Sequence, residues 1–320
     1  MILTAVIPAD GAVLDRLLTA MHARCNTGLD RDAYGRFHAA RVRTAWGRRS
    51  LRAFALLDGS DLRAGALRYD FAAVLDGSPL RVCGIGSLFT EPAYRGHGHA
   101  RRLIDTLLDD AARDGADIAL LFSGSGDPGF AGFEPIGMTD TAIEIVDTPR
   151  PGAPMTLVRG GEARDLAAIV AMGQTRAAPC RFRLDRDVDL VQYAITAKRL
   201  LAGLGPAGAR HLQFFIAEEG ITAAAYVVVT IAGSRWTIEE CGDRDPSGAR
   251  VGALLQALIA REPAERRPTI GGWLPSRFVP PQIMTTTRPS DEVMMMRSLT
   301  STAAPRLGTD DVLYWRGDIF

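Results

Sequence analysis

Residues Arg81–Ala112 read RVCGIGSLFTEPAYRGHGHARRLIDTLLDDAA, and the way this stretch changes character along its length decides the fold. Val82–Thr90 is apolar and of strand length. Pro92 and the turn Arg95-Gly96-His97-Gly98-His99-Ala100 interrupt it. Leu103, Ile104, Leu107, Leu108 and Ala111 then recur at three- and four-residue spacing, which predicts an amphipathic helix. A helix N-terminus presents unpaired N–H groups and the positive end of the helix dipole, so such a turn is suited to phosphate. Gly96 and Gly98 let a diphosphate approach the backbone, and Ala100 is too small to obstruct it. Arg95 and Arg101 flank the turn and can add charge-assisted hydrogen bonds. A glycine turn alone is common; the ordered series of strand, proline, Arg-x-x-Gly-x-Ala and helix is far more specific.

Upstream, Ser50–Leu57, Leu62–Leu75 and Leu80–Thr90 read as three strands of an antiparallel meander, separated by Asp-Gly hairpin turns. Before them come a strand at Leu3–Ile7 and helices at Gly11–Ala23 and Asp30–Trp46. Downstream, Gly115 ends the central helix and Ile118–Phe122 is a wholly apolar strand, as expected where both faces are covered. A glycine-rich loop, Ser123–Gly129, leads to a further strand near Thr141–Val146. The proline-rich Thr148–Pro154 then marks a boundary, giving a first domain of residues 1–148 and a second of 149–320.

Beyond the boundary the order of elements repeats. Met155–Val158 is strand-like, Glu162–Met172 and Val188–Leu204 are helical, and His211–Ala217, Ile221–Ile231 and Ser234–Glu240 are strands. Val251–Ala260 is a helix and Thr269–Leu274 a strand. The expected fold class is therefore α/β (α+β), with two tandem domains, each a mixed, mostly antiparallel sheet flanked by helices. The second half's equivalent turn, Gly242-Asp243-Arg244-Asp245-Pro246-Ser247-Gly248, carries two carboxylates that repel a diphosphate and a proline that removes a donor. It is expected to be a degenerate copy without the phosphate site.

Composition narrows the class. The 37 basic and 37 acidic side chains cancel, so no global field favours nucleic acid or an anionic membrane. Cys25, Cys83, Cys180 and Cys241 are scattered without metal-ligand spacing, so reduced thiols and no metal are expected. With no transmembrane-length apolar run and no basic leader after Met1, a cytoplasmic protein is expected.

On the motif at Arg95-x-x-Gly98-x-Ala100, the chain resembles the GNAT superfamily of acetyl-coenzyme A-dependent N-acetyltransferases, clearly over Leu80–Gly137. The two-part layout resembles the branch that pairs an active with a degenerate GNAT domain. That branch includes the mycobacterial enhanced-intracellular-survival aminoglycoside acetyltransferases and the fungal lysine acetyltransferases. Met294-Met295-Met296-Arg297 and the closing Tyr314–Phe320 are similar to such chains as well.

The resemblance implies acetyl-coenzyme A as co-substrate. Leu88, Phe89 and Thr90 would lend backbone groups to the pantetheine arm and thioester carbonyl. The amides of Gly96, His97, Gly98, His99, Ala100 and Arg101 would hold the diphosphate with Arg95, and Ser123 and Gly124 would contact the far side. It also implies a base from the terminal carboxylate, here that of Phe320, carried by a terminal segment returning to the first domain; the alternative is an ordinary terminus whose Ile319 and Phe320 are simply packed. One departure stands out: ungapped alignment of Ser123–Phe133 places Pro128 where the family carries the tyrosine that protonates the leaving thiolate.

Amine acetylation needs a neutral amine, a polarised carbonyl and a route for the proton. Glu91 is the nearest carboxylate in sequence, though a solvated loop residue explains it too. His97 and His99 sit in the turn, where their amides are their expected contribution. Tyr314 is a candidate acid or a packed tyrosine, and Glu239, Glu240, Asp243 and Asp245 are either a cation-attracting cluster or a solvated face. Met294–Met296 would line a cleft or pack a strand. The leading expectation is acetyl transfer to a primary amine of a small molecule or peptide by direct attack, in a monomer or homo-oligomer. The alternatives are a coenzyme A-binding regulator without turnover and an acyltransferase for longer chains.

Overall fold

The computed structural model describes residues 4–25, 27–124, 130, 132–145, 157–263, 265, 267–272, 274, 280–301 and 305–316. In chain order the elements are β1 (Thr4–Pro8), α1 (Gly11–Cys25), α2 (Arg31–Arg43), α3 (Ala45–Ser50), β2 (Leu51–Asp58), β3 (Asp61–Leu75), β4 (Ser78–Thr90), α4 (His99–Arg113), β5 (Ile118–Gly124) and β6 (Glu134–Ile145). They continue as β7 (Leu157–Gly160), α5 (Leu166–Ala177), β8 (Phe182–Leu184), α6 (Val188–Leu204), β9 (His211–Glu219), β10 (Thr222–Ala232) and β11 (Arg235–Asp243). The last are α7 (Ala249–Ile259), β12 (Thr269–Gly272), β13 (Ile283–Ser298) and β14 (Val312–Leu313). Two compact units result, one of Met1–Gly137 with Asp291–Gly308, the other of Met138–Ser290 with the segment from Thr309.

In the first unit, β1, β2, β3 and β4 form the antiparallel meander, β5 joins β4 in parallel, and residues 292–298 of β13 lie antiparallel to β5. The three methionines of β13 are thereby packed: Met294, Met295 and Met296 are all buried, so both faces of that strand are covered. The central helix α4 buries Leu103, Ile104, Leu107, Leu108 and Ala111 against Phe54, Leu56, Ala64, Ala66, Cys83, Ile85 and Leu121. At roughly 2–5 kcal/mol for each leucine truncated to alanine, this contact fixes where α4 begins.

Helix α1 covers the opposite face. A Cβ on Gly65 would sit 2.1 Å from Leu17 Cδ1 of α1, whereas its neighbours Ala64 and Ala66 point into the α4 cluster. The single helix expected over Asp30–Trp46 is two. Thr44 adopts an extended conformation, accepts the Gly47 N–H at 2.9 Å and restarts the chain as α3.

The second unit runs through the same order, with β9, β10 and β11 antiparallel, β12 parallel to β11, and β12 antiparallel to residues 141–143 of β6. Its core gathers Leu166, Ile169, Val191, Ile195, Ile216, Tyr226 and Val228. Strand β6 spans twelve residues and starts at Glu134, earlier than the strand expected near Thr141.

Candidate active site

The site is made by two strands parting company. Strands β4 and β5 pair from Val82 and Ile118 only as far as Ile85 and Leu121. Beyond that point each strand keeps its outer neighbour: β4 stays on β3 until Ala64 faces Thr90, and β5 stays on β13 until Glu292 faces Gly124. The edges between them diverge, and a cavity of about 420 Å³ lies in the opening, lined among others by Ser87, Leu88, Phe89, Thr90, Arg95 and Ser123.

A β-bulge sharpens the parting. The β3 register moves from Leu67 opposite Gly86 to Gly65 opposite Phe89, so Ser87 and Leu88 together oppose one residue. Ser87 takes φ 49°, unusual for a residue with a side chain, which re-aims the backbone at the cavity. Phe89 is buried and packs toward Gly65, while Leu88 is partly buried against the α4 core.

The turn that follows is braced by its own side chains. The Arg95 Nε–H points at the Thr90 carbonyl at 3.4 Å, and the His97 Nδ1–H donates to the Arg95 carbonyl at 2.9 Å. The Arg63 guanidinium lies 3.6 Å from the Tyr94 ring centroid, and the Tyr94 and His99 rings meet edge to face. His97 thus stabilises the turn with its ring. Gly96 and Gly98 have φ of 79° and 75°, and a Cβ on either would meet nothing within 4 Å. Glycine is required there by the left-handed backbone, and the space over the turn is open, as a phosphate cradle needs. Gly98 is the N-cap of α4 and supplies no side-chain acceptor, so the first N–H groups of α4, from His99, Ala100 and Arg101, face that space uncapped. Arg101 is exposed and only loosely paired with Asp105, at 3.7 Å.

The second unit presents the same device with its anion built in. Helix α7 also begins after a left-handed glycine, Gly248 at φ 76°. There the buried Asp243 carboxylate accepts the N–H of Arg250 at 2.7 Å and of Val251 at 3.1 Å, and the Asp245 N–H at 2.8 Å. Asp243 takes the anion's place at the start of α7, beyond merely repelling a diphosphate.

Glu239 and Glu240 of that segment are not solvated either. Glu240 is gripped bidentately by Arg186 at 2.7 and 2.8 Å and accepts from the Tyr226 hydroxyl at 2.6 Å. Burial, with the Glu240 charge beside it, raises the Tyr226 phenol well above its ordinary value. Glu239 pairs with Lys198 at 2.8 Å. Only Asp245 is part exposed, bracing its own turn through the Ser247 N–H. These groups hold the second unit together and offer no cation-attracting face.

Of the remaining expected residues, Ser123 lines the cavity and Gly124 follows it on the parted edge of β5. Glu91 is half-buried beside a neighbouring open groove with Asp15, Asp61 and Tyr94. Tyr314 is buried in the second unit and does not line the cavity. Phe320 and Pro128, the base and the departure from the tyrosine pattern, lie outside the described residues. Burial pushes the Cys83 thiol up to about 12 and the Cys241 thiol higher, so neither serves as a nucleophile. Sequence reasoning missed seven cavity residues: Arg24, Phe130 and, within the two strands, Ile85, Gly86, Ser87, Leu121 and Phe122. Those in the strands carried a local signal as strand residues; Arg24 and Phe130 carried none.

Among the described residues no helix is long and apolar enough to cross a membrane. Residues 16–131 match the acetyltransferase (GNAT) domain family. Comparison with curated proteins finds no match. Among solved structures, a probable N-acyltransferase from Enterococcus faecalis V583 superposes with a TM-score of 0.67 at 14% identity, over 93% of this chain and 73% of that one. Eis1 from Mycobacterium abscessus gives a TM-score of 0.59 at 15% identity, over 93% and 74%. Saccharomyces cerevisiae N-myristoyltransferase with bound myristoyl-CoA gives 0.56 at 8%, over 92% and 78%. At these identities the likeness is one of fold.

Proposed function

We propose that the chain, whose residues 16–131 match the acetyltransferase (GNAT) domain family, transfers an acetyl group from acetyl-coenzyme A to a primary amine of a small molecule or peptide by direct attack. The observation that carries the reading is the parting of β4 and β5 beside the uncapped start of α4. An open left-handed glycine turn with unclaimed N–H groups fits a diphosphate, and the cavity between the parted strands fits a narrow arm leading away from it.

In this reading the amides from Gly96 to Arg101, with Arg95, hold the diphosphate. The backbone at Leu88, Phe89 and Thr90 hydrogen-bonds the pantetheine arm and polarises the thioester carbonyl, and Ser123 and Gly124 close the far side. Bound acetyl-coenzyme A supplies an activated acetyl group. The protein's task is to hold it in line with the amine, exclude water and accept the amine's proton. The proton acceptor proposed is the Phe320 carboxylate, tested by appending one residue: unchanged turnover removes it. The catalytic share is assigned to residues 1–148 and a supporting role to 149–320, in a cytoplasmic protein.

Calorimetry with acetyl-coenzyme A, followed by thiol release over an amine panel, tests the reading. Binding in the micromolar range or tighter with amine-dependent release supports it. Tight binding with no release on any amine favours a coenzyme A-responsive regulator. Faster release from longer acyl-coenzyme A esters favours a long-chain transferase, for which the apolar wall of Ile85, Leu121, Phe122 and Phe130 has room.

A further inference from the structure

The cavity between β4 and β5 is lined by residues from both faces of the sheet. Arg95 and Ala100 line it from the side of α4. Arg24 lines it too, from the last turn of α1, the helix that packs on the opposite face through Leu17 and Gly65. The diphosphate accounts for the α4 side. The α1 side is left for the acceptor, and the charged side chain waiting there is a guanidinium. Of the described residues that line the cavity, Arg24 and Arg95 carry charge and none is a carboxylate. The acidic side chains nearby, Asp15, Asp61 and Glu91, line the adjoining groove instead. Two of them already face arginines, Asp15 with Arg31 at 3.2 Å and Asp61 with Arg63 at 3.5 Å.

We infer that Arg24 is an acceptor-recognition residue and that the acceptor is an amine carrying an anionic group, a carboxylate or phosphate, a few bonds from its nitrogen. The inference rests on the acetyltransferase reading above and adds the substrate class. Two physical effects point the same way. With both charged side chains among its described walls positive, the cavity favours an amine that carries a compensating anion over a polycationic one. A planar guanidinium is moreover the side chain best matched to a carboxylate or phosphate in two-point contact.

The test uses paired ligands that differ only in the anion: amino acids against their amides, and ethanolamine phosphate against ethanolamine. Affinity for the protein pre-loaded with coenzyme A is measured by calorimetry, and KM and kcat by thiol release. The anionic member should bind better in each pair that binds. Arg24→Gln should weaken it by roughly tenfold or more while leaving its neutral partner and the Kd of acetyl-coenzyme A within about twofold. Arg24→Lys should restore part of the loss. Ethanolamine phosphate and the amino acids separate a phosphate preference from a carboxylate one. Equal or better binding of the neutral members, no binding by any anionic member, or a loss in Arg24→Gln confined to acetyl-coenzyme A each overturns the inference. The calorimetric arm needs no turnover, so a protein that binds anionic amines without acetylating them refutes the proposed reaction alone.

Discussion

Asp243 should be worth far more to the second unit than an ordinary turn aspartate. Its side chain is fully buried and accepts the backbone N–H groups of Arg250 and Val251 at the positive end of α7. A hydrogen bond to a charged group contributes about 1.5–3 kcal/mol, and an anion at a partly buried helix N-terminus up to about 2 kcal/mol. These terms overlap, so Asp243→Ala should cost about 3–5 kcal/mol, and Asp243→Asn, which keeps an acceptor and loses the charge, about 1–2 kcal/mol.

Urea unfolding gives the totals, and hydrogen exchange places the effect at the Arg250 and Val251 amides. Since Asp243→Ala frees an anion site, phosphate should restore part of the loss. At 100 mM phosphate and a site affinity on the order of 10 mM the recovery is about 1.4 kcal/mol beyond any effect on the parent chain. A cost below about 1 kcal/mol, or exchange at those amides unchanged, would refute the argument that Asp243 occupies the anion position.

Three further outcomes follow from the first unit. Gly98→Ala should lose about 1–2 kcal/mol from the left-handed backbone alone, since nothing lies near the added Cβ, and Gly98→Asn should lose less; thermal unfolding with acetyl-coenzyme A titration separates this strain from blockage by a bulkier side chain. Gly65→Ala would drive a methyl to 2.6 Å from Phe89 Cε1 and 2.1 Å from Leu17, an overpacking cost of about 1–3 kcal/mol read by denaturant, together with a raised KM for acetyl-coenzyme A as Phe89 shifts. Burial, with Arg41 beside it, pushes His38 down to about 4 from 6.5, so the unfolded chain takes up the proton first. Its contribution is intact above pH 6.5 and lost as pH falls toward 4, with a ceiling of about 3 kcal/mol that His38→Phe should remove from the pH dependence of urea unfolding.

The parts of the fold that were legible in the sequence are those with local causes. The hydrophobic stripe Leu103–Ala111 and the glycines at 96, 98 and 115 locate α4 and its ends because periodicity and left-handed turns are written in adjacent residues. Residues whose roles depend on distant neighbours were opaque. That Met294–Met296 pack a strand is readable, but their pairing with β5, more than a hundred residues earlier, is not. The break at Thr44 was hidden because α2 buries polar-capable residues such as Tyr34 and His38 and shows a thin apolar stripe. At the candidate site, Arg95–Arg101 could be read from the glycine pattern. Arg24 could not, since its place at the cavity depends on which face α1 covers. Asp243 reads in the sequence as a charge that repels a diphosphate; the structure adds that it is buried and accepts the Arg250 and Val251 amides an anion would otherwise take, a placement no local pattern shows.

Hydrogen exchange of the full chain with and without acetyl-coenzyme A tests the central claim most directly. Protection should appear in peptides covering Gly86–Arg101 and Leu121–Gly124, and be absent at Asp243–Gly252, where Asp243 already holds the amides. Protection at α7, or none at the start of α4, would contradict the placement of the cofactor between β4 and β5.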